Sequence, residues 1–314
     1  MELARLIRPL TLEDARKSYE RLQAFTCTNA ETERFSRAGL DCLDYFFLHH
    51  RMKAKTIRHI SFYEAMKDKV LVEKLDAKIQ QIKKKNPFTL EKEALMRLRY
   101  DVFQLYYGTI NQFRPTEVKR VLCVLKPTVG VLDFSAGWGG RCLGTMAYGL
   151  PYYGVDANTN LKASYNKLID FVKPETSVQM TFKPSETVDF SKYKYDLIFT
   201  SPPYFTIEEY EKMPEYGSKQ GFLDKFFKPV VEAAWKHLLP GGHMALNMPK
   251  EMYDAVKHLL PPLTKRLQLP IAGRHPSNAA TGRKLGSKNA GTSSEGIYVW
   301  KKGAGRGKTR KVKK

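Results

Sequence analysis

The chain is poor in cysteine, with four in 314 residues. Cys27, Cys42, Cys123 and Cys142 show no C-x-x-C pair or other metal-ligand spacing, so a structural zinc site is not expected. They read as reduced residues of an intracellular protein. No run of 18 or more apolar residues occurs, which argues against a membrane-spanning helix. Residues 1–17 mix acids and bases without an apolar stretch, so they do not read as a secretory signal. Acid is scarce relative to base: 32 Asp and Glu face 53 Lys and Arg, a formal charge of +21. Such an excess implies a polyanionic partner, nucleic acid above all.

What is present divides the chain in three. Residues 1–109 read as a helical N-terminal extension. Thr11–Asp14 and Ser61–Glu64 have capping-box spacing. Leu40, Leu43, Phe46 and Phe47 recur at helical spacing, as do Leu95, Leu98, Val102 and Leu105. Asn86-Pro87 breaks the helix that ends in Lys83-Lys84-Lys85. His49-His50 is expected to be structural. Residues 110–302 then alternate apolar strands, glycine turns and helices. Val131–Asp133, Tyr152–Asp156, Met180–Phe182, Leu197–Phe199 and His243–Leu246 read as strands, with crossover helices such as 161–171 and 222–239. This alternation predicts a doubly wound α/β sheet with parallel strands. Ile297–Trp300 is a last strand that follows no helix closely, and an antiparallel course suits it. Residues 303–314 form a basic tail that reads as disordered, suited to phosphate contact or nuclear import.

Two turns carry the chemistry. The first is Asp133-Phe134-Ser135-Ala136-Gly137-Trp138-Gly139-Gly140-Arg141, at the end of the first strand. Ligands of open α/β sheets bind at such ends, and glycine lets a ligand approach bare backbone. Asp133 can accept from an ammonium group, which a dinucleotide lacks. Asp156, at the end of the second strand, can take both hydroxyls of a ribose. The glycine spacing departs from Gly-x-Gly-x-x-Gly, which disfavours a nicotinamide enzyme. The second turn is Thr200-Ser201-Pro202-Pro203-Tyr204-Phe205. Proline stiffens it and removes N–H donors, leaving carbonyl 202 and Ser201 as acceptors beside the Tyr204 ring. Two acceptors and a flat π-face suit the exocyclic amine of a planar base.

Together these residues resemble an S-adenosylmethionine-dependent amino-methyltransferase of the N4-cytosine/N6-adenine type, over about residues 110–302. The resemblance implies a class I methyltransferase, Rossmann-like, with a mostly parallel seven-stranded sheet and S-adenosyl-L-methionine as cofactor. It implies cofactor contacts from Asp133, Phe134, Ser135, Gly137, Trp138, Gly139, Asp156 and Thr200. Phe113-Arg114-Pro115 resembles the segment that closes over the methionine end. The motif Ser201-Pro202-Pro203-Tyr204 would hold the target amine. Serine at its head resembles the cytosine-N4 branch more than the adenine-N6 branch, where Asp or Asn is usual. DNA is favoured over RNA. Phe205 and the acid-free basic stretch holding Arg274, Arg283, Lys284 and Lys288 would contact nucleic acid. The expected partners include no membrane and no metal. Adenine-N6 methylation of DNA or RNA, protein glutamine methylation, and a nucleic-acid-binding protein with an inactive methyltransferase domain are the alternatives.

Overall fold

The computed structural model describes residues 2–33, 36–85, 92–204, 215–268 and 296–304. Its helices are α1 (Glu2–Ile7), α2 (Leu12–Ala24), α3 (Cys27–Thr32), α4 (Leu40–Arg51), α5 (Phe62–Ala65), α6 (Lys69–Lys85) and α7 (Lys92–Tyr107). After these come α8 (Pro115–Leu125), α9 (Gly140–Tyr148), α10 (Lys162–Val172), α11 (Lys219–Phe222), α12 (Lys228–His237) and α13 (Lys250–Val256). A π-type turn, Leu223–Phe227, joins α11 to α12. The strands are β1 (Val131–Asp133), β2 (Tyr152–Val155), β3 (Val178–Thr181), β4 (Leu197–Thr200), β5 (His243–Met248), β6 (Lys265–Leu267) and β7 (Gly296–Lys301).

The helix starts follow their local chemistry. Thr11 and Asp14 exchange side chain-to-backbone bonds at the head of α2, and Ser61 and Glu64 do the same for α5. A third such box, Thr26 with Asn29, opens α3. Pro115 occupies the first turn of α8, where its missing N–H costs nothing.

The sheet order is β3-β2-β1-β4-β5-β7-β6. β1 to β5 run parallel, and β7 is antiparallel to β5 and β6. This is the class I methyltransferase sheet, with its order reversing between β1 and β4. Successive strand residues alternate between two cores, because both faces are covered. Val131, Leu197, Phe199, Ala245 and Val299 face one core. Leu132, Ile198, Met244, Leu246 and Trp300 face the other.

The first of these cores crosses position 109. Ala15, Leu22, Leu43 and Phe47 from α2 and α4 share it with Val118, Leu143 and Tyr165 from α8, α9 and α10. A separate core unites α1 and α4 to α7 around Leu48, Phe62, Leu75 and Phe103. Lys119 reaches from α8 to the last carbonyls of α2, at 2.9 Å from Leu22 and 3.0 Å from Gln23. Burial pushes its amine down to about 8.

The four cysteines are not all reduced, contrary to the expectation from their spacing. Cys27 and Cys123 are joined in a disulfide across 96 residues, between α3 and α8. Spacing along the chain could not reveal a pair that only helix packing brings together. Cys42 and Cys142 are free and buried, and burial pushes the Cys42 thiol up to about 12. Among the described residues no helix is long and apolar enough to cross a membrane. None forms a cluster of three or more His, Cys, Asp or Glu able to hold a metal ion.

Candidate active site

The parallel pairing of β1 with β4, Leu132 opposite Ile198, sets the two chemistry-bearing turns side by side. The pairing of β4 with β5, Thr200 opposite Leu246, adds the end of β5 as a third wall. The site thus lies where the strand order reverses, as expected for an open α/β sheet.

The glycine turn is held from four sides. Gly137 and Gly139 have φ of 57° and 77°, in the left-handed region. A Cβ on Gly139 would lie 2.7 Å from the Phe47 ring of α4. A Cβ on Gly140 would collide with the carbonyl oxygen of Phe113. The segment 113–115 is therefore packed directly on the turn. Below it, the Tyr165 hydroxyl accepts from the Gly139 N–H at 3.1 Å and faces the carbonyls of Ala136 and Gly137. The Gly137 N–H donates to Asp156 at 2.7 Å.

The two acids differ in how they are engaged. Asp133 is fully buried. Its carboxylate accepts from Arg141 Nε and from the Tyr152 hydroxyl, each at 2.7 Å, and from the Ser135 N–H at 3.2 Å. The Arg141 guanidinium also bonds the Ser135 carbonyl and lies over the Phe113 ring, 5.5 Å from its centre. Burial works against the arginine's charge, but the Asp133 carboxylate outweighs it and raises the pKa. The ammonium acceptor expected at Asp133 is thus engaged inside the protein. Asp156 is half-buried, with one oxygen bonded to Gly137 N–H and the other to Asn158 N–H at 2.8 Å. Burial raises its pKa to about 6, against the lowering effect of those two N–H bonds.

The remaining first-turn residues fall on both sides of the sheet. Phe134 is buried, and its carbonyl accepts from the Ser185 and Ser135 hydroxyls at 2.5 and 2.8 Å. Trp138 is buried in the core beside α4 and α9, so packing accounts for its ring. Phe113 stands edge-on to Phe199, 5.4 Å between centroids. Arg114 occupies the N-cap position of α8 without a capping side-chain bond, and its Nη1 is buried without a hydrogen-bond partner among the described residues. Thr200 is fully buried, and its Oγ1 likewise has no partner there. Leaving such atoms unbonded is costly, so both suit a polar ligand.

In the second turn, Ser201, Pro203 and Tyr204 are half-buried and Pro202 is buried. Their organiser is Asn247 of β5. Its Nδ2 donates to Ser201 Oγ and to the Tyr204 hydroxyl, each at 3.1 Å. The Tyr204 hydroxyl in turn lies 3.4 Å from the Asn247 carbonyl and from Ser201 Oγ. Sequence reasoning missed Asn247, although a polar residue inside the apolar run 244–248 was a signal. It also missed Glu186, after β3, whose Oε1 accepts from the Tyr216 hydroxyl at 2.9 Å and whose Oε2 is buried without a partner among the described residues. Phe205, Arg274, Arg283, Lys284 and Lys288 lie outside the described residues.

No protein-family model matches the chain, and no curated protein matches it in sequence. Solved structures match it at low identity. TrmN from Thermus thermophilus is 15% identical, with a TM-score of 0.42 over 69% of this chain and 68% of its own. An rRNA methylase from Streptococcus thermophilus is 14% identical, with a TM-score of 0.36 over 56% of this chain and 87% of its own. The glycopeptide N-methyltransferase MtfA, complexed with sinefungin, is 14% identical, with a TM-score of 0.34 over 45% of this chain and 56% of its own. The fold assignment rests on this chain's own strand order and direction.

Proposed function

We propose that the protein transfers a methyl group from S-adenosyl-L-methionine to the exocyclic amine of a nucleic-acid base, cytosine N4 in DNA first. The observation that carries this reading is the Ser201–Tyr204–Asn247 network standing beside the glycine turn at the sheet's reversal point. The cofactor would supply an electrophilic methyl group. The chain's residues fit its parts. The buried, unbonded Arg114 Nη1 suits the carboxylate of an amino acid, and Asp156 suits the ribose hydroxyls. Glu186 Oε2, buried without a partner among the described residues, suits an N–H group of a purine ring.

For the target base, the chain supplies position and hydrogen bonds. Backbone carbonyl 202 would accept one amine proton. Tyr204, with its hydroxyl anchored by Asn247, would present its ring to the base. Ser201 receives a bond from Asn247 and keeps a neutral hydroxyl at the amine, where a carboxylate would accept more strongly. Serine at this position resembles the cytosine-N4 branch, and that resemblance is what supports cytosine over adenine. Holding the amine protons favours a localised nitrogen lone pair, so catalysis is chiefly orientation and electrostatics. A base in a duplex would have to leave the stack to reach this clamp, at about a few kcal/mol. The charge of +21 supports a nucleic-acid substrate over a protein amide.

The test is to incubate the protein with methyl-labelled cofactor and DNA, RNA and protein pools, then digest the nucleic acids to nucleosides. Label in N4-methylcytosine is expected. Label confined to N6-methyladenine, or to RNA, would reassign the substrate, and binding of cofactor with no transfer to any pool would favour an inactive methyltransferase domain. Tyr204→Ala should lose turnover on the labelled substrate and keep cofactor affinity by calorimetry.

A further inference from the structure

We propose that the outer face of α6, with the end of α7 and the turn at 53–59, is a second nucleic-acid-binding surface that holds a single-stranded segment flanking the target base. The inference deepens the reading above and rests on its nucleic-acid substrate. Residues 53–85 hold ten Lys and Arg against four Asp and Glu. Those acids are largely occupied by the protein. Asp76 accepts both Nε and Nη2 of Arg99, at 2.7 and 2.6 Å. Glu64 and Asp68 accept backbone N–H groups at 2.7 and 2.9 Å. Lys74 and Lys84 are exposed, and half-buried Lys78 stands over the Tyr106 ring, 5.2 Å from its centroid. Lys74, Lys78 and Gln81 fall on one stripe of α6 by their four- and three-residue spacing.

Aromatic and apolar surface is interleaved with this charge. Tyr106 is 47% exposed, Leu105 53% and Ile57 55%. Ile57 lies against the chain just beyond Tyr106, since a Cβ on Gly108 would sit 3.2 Å from its Cγ2. Lys53 covers the Tyr63 ring at 5.8 Å on the same helical layer. Single-stranded nucleic acid is bound by this combination, a basic track for phosphates with exposed rings for the bases. A protein partner fits less well, because lysine is depleted in the centres of protein interfaces.

The surface is connected to the candidate site by chain and by packing. Tyr106 precedes Phe113 by seven residues, which span at most about 25 Å. The helix α4 packs Phe47 on Gly139 and places Leu48, with Met52 just past its end, in the core that holds Phe103. A strand whose base occupied the clamp could therefore run onto α6 and α7.

The test measures anisotropy of a fluorescein-labelled, single-stranded 20-mer DNA against salt, on the full chain. The triple variant Lys74→Glu/Lys78→Glu/Lys84→Glu should bind at least tenfold more weakly. Its slope of log affinity against log salt should flatten by about two, from about 0.7 per phosphate contact on a single strand. Tyr106→Ala should bind about fivefold or more weakly with its salt slope kept, as expected for a lost base stack. The control triple Lys126→Glu/Lys192→Glu/Lys194→Glu makes the same change of charge in the loops that lead into the central strands β1 and β4, at the end of the sheet away from the two turns, and should lose much less. Unchanged cofactor affinity and melting temperature establish that the variants fold. Equal losses in the two triples, or unchanged binding in Lys74→Glu/Lys78→Glu/Lys84→Glu and in Tyr106→Ala, would overturn the surface while leaving the enzyme reading standing. A wild-type protein that fails to bind the 20-mer at low salt would overturn both.

Discussion

At the residue scale, Asn247 decides how the second turn can act. One side-chain amide bonds both the serine and the tyrosine of the clamp. Removing it leaves two hydroxyls to reorient, a loss of about 1–3 kcal/mol. Asn247→Ala should therefore lower turnover about ten- to hundredfold while cofactor affinity, read by calorimetry, stays put. Ser201 and the two prolines were legible in the sequence as a stiff, acceptor-rich turn. Their partner was not, because the Ser201–Asn247 bond spans 46 residues and depends on strand register. Asp156 yields a pH dependence. Its folded-state pKa, raised to about 6 by burial, means that the unliganded protein holds the proton more tightly than the unfolded chain does. The resulting stabilisation is complete below the ordinary carboxyl value of 3.8 and lost as pH rises through about 6. Ribose hydroxyls need the ionised acid, so cofactor affinity should run the other way. It should be flat above about pH 7 and fall towards tenfold per pH unit below about 6. Asp156→Asn should bind weakly with no such slope, which calorimetry across pH 5–8 would check.

At the element scale, the start of α9 is the tightest junction. α8, α9 and the 113–115 segment meet where only glycine fits, at Gly140 against the Phe113 carbonyl and at Gly144 against Val118, 2.5 Å from a Cβ position. Gly140→Ala must move backbone rather than a flexible side chain. It should cost about 1–3 kcal/mol of stability, seen as a lowered melting temperature, and weaken cofactor binding with it. Most elements were readable from pattern: the apolar strands, and the capping boxes at Thr11 and Ser61. β6 was not. Of its three residues, Lys265 and Arg266 are charged and exposed and Leu267 is half-buried, and only their pairing with β7 makes them a strand. The antiparallel course of β7 agrees with its expected lack of a preceding crossover helix.

At the scale of the whole molecule, the N-terminal helices and the sheet share a core, and the Cys27–Cys123 bond ties them covalently. Closing 96 residues removes much unfolded-chain entropy. Reduction, or Cys27→Ser, should lower unfolding free energy by about 2–4 kcal/mol in urea denaturation, with the cofactor site intact at 25 °C. An unchanged midpoint between oxidised and reduced protein would mean that the pair does not form in solution. The shared core also gives the basic helical layer a fixed relation to the glycine turn, through Phe47 and Leu48 on one helix.

The sequence by itself determined what is local. Alternating apolar strands and helices specified the α/β class, glycine specified a turn of left-handed backbone, and paired proline specified a rigid one, since each follows from short-range sterics and periodicity. The tertiary structure alone decided which distant groups meet. It committed Asp133 to Arg141 and Tyr152, drew Asn247 to the clamp, and joined Cys27 to Cys123. Those contacts depend on strand order and helix packing, which the spacing of residues along a chain does not encode.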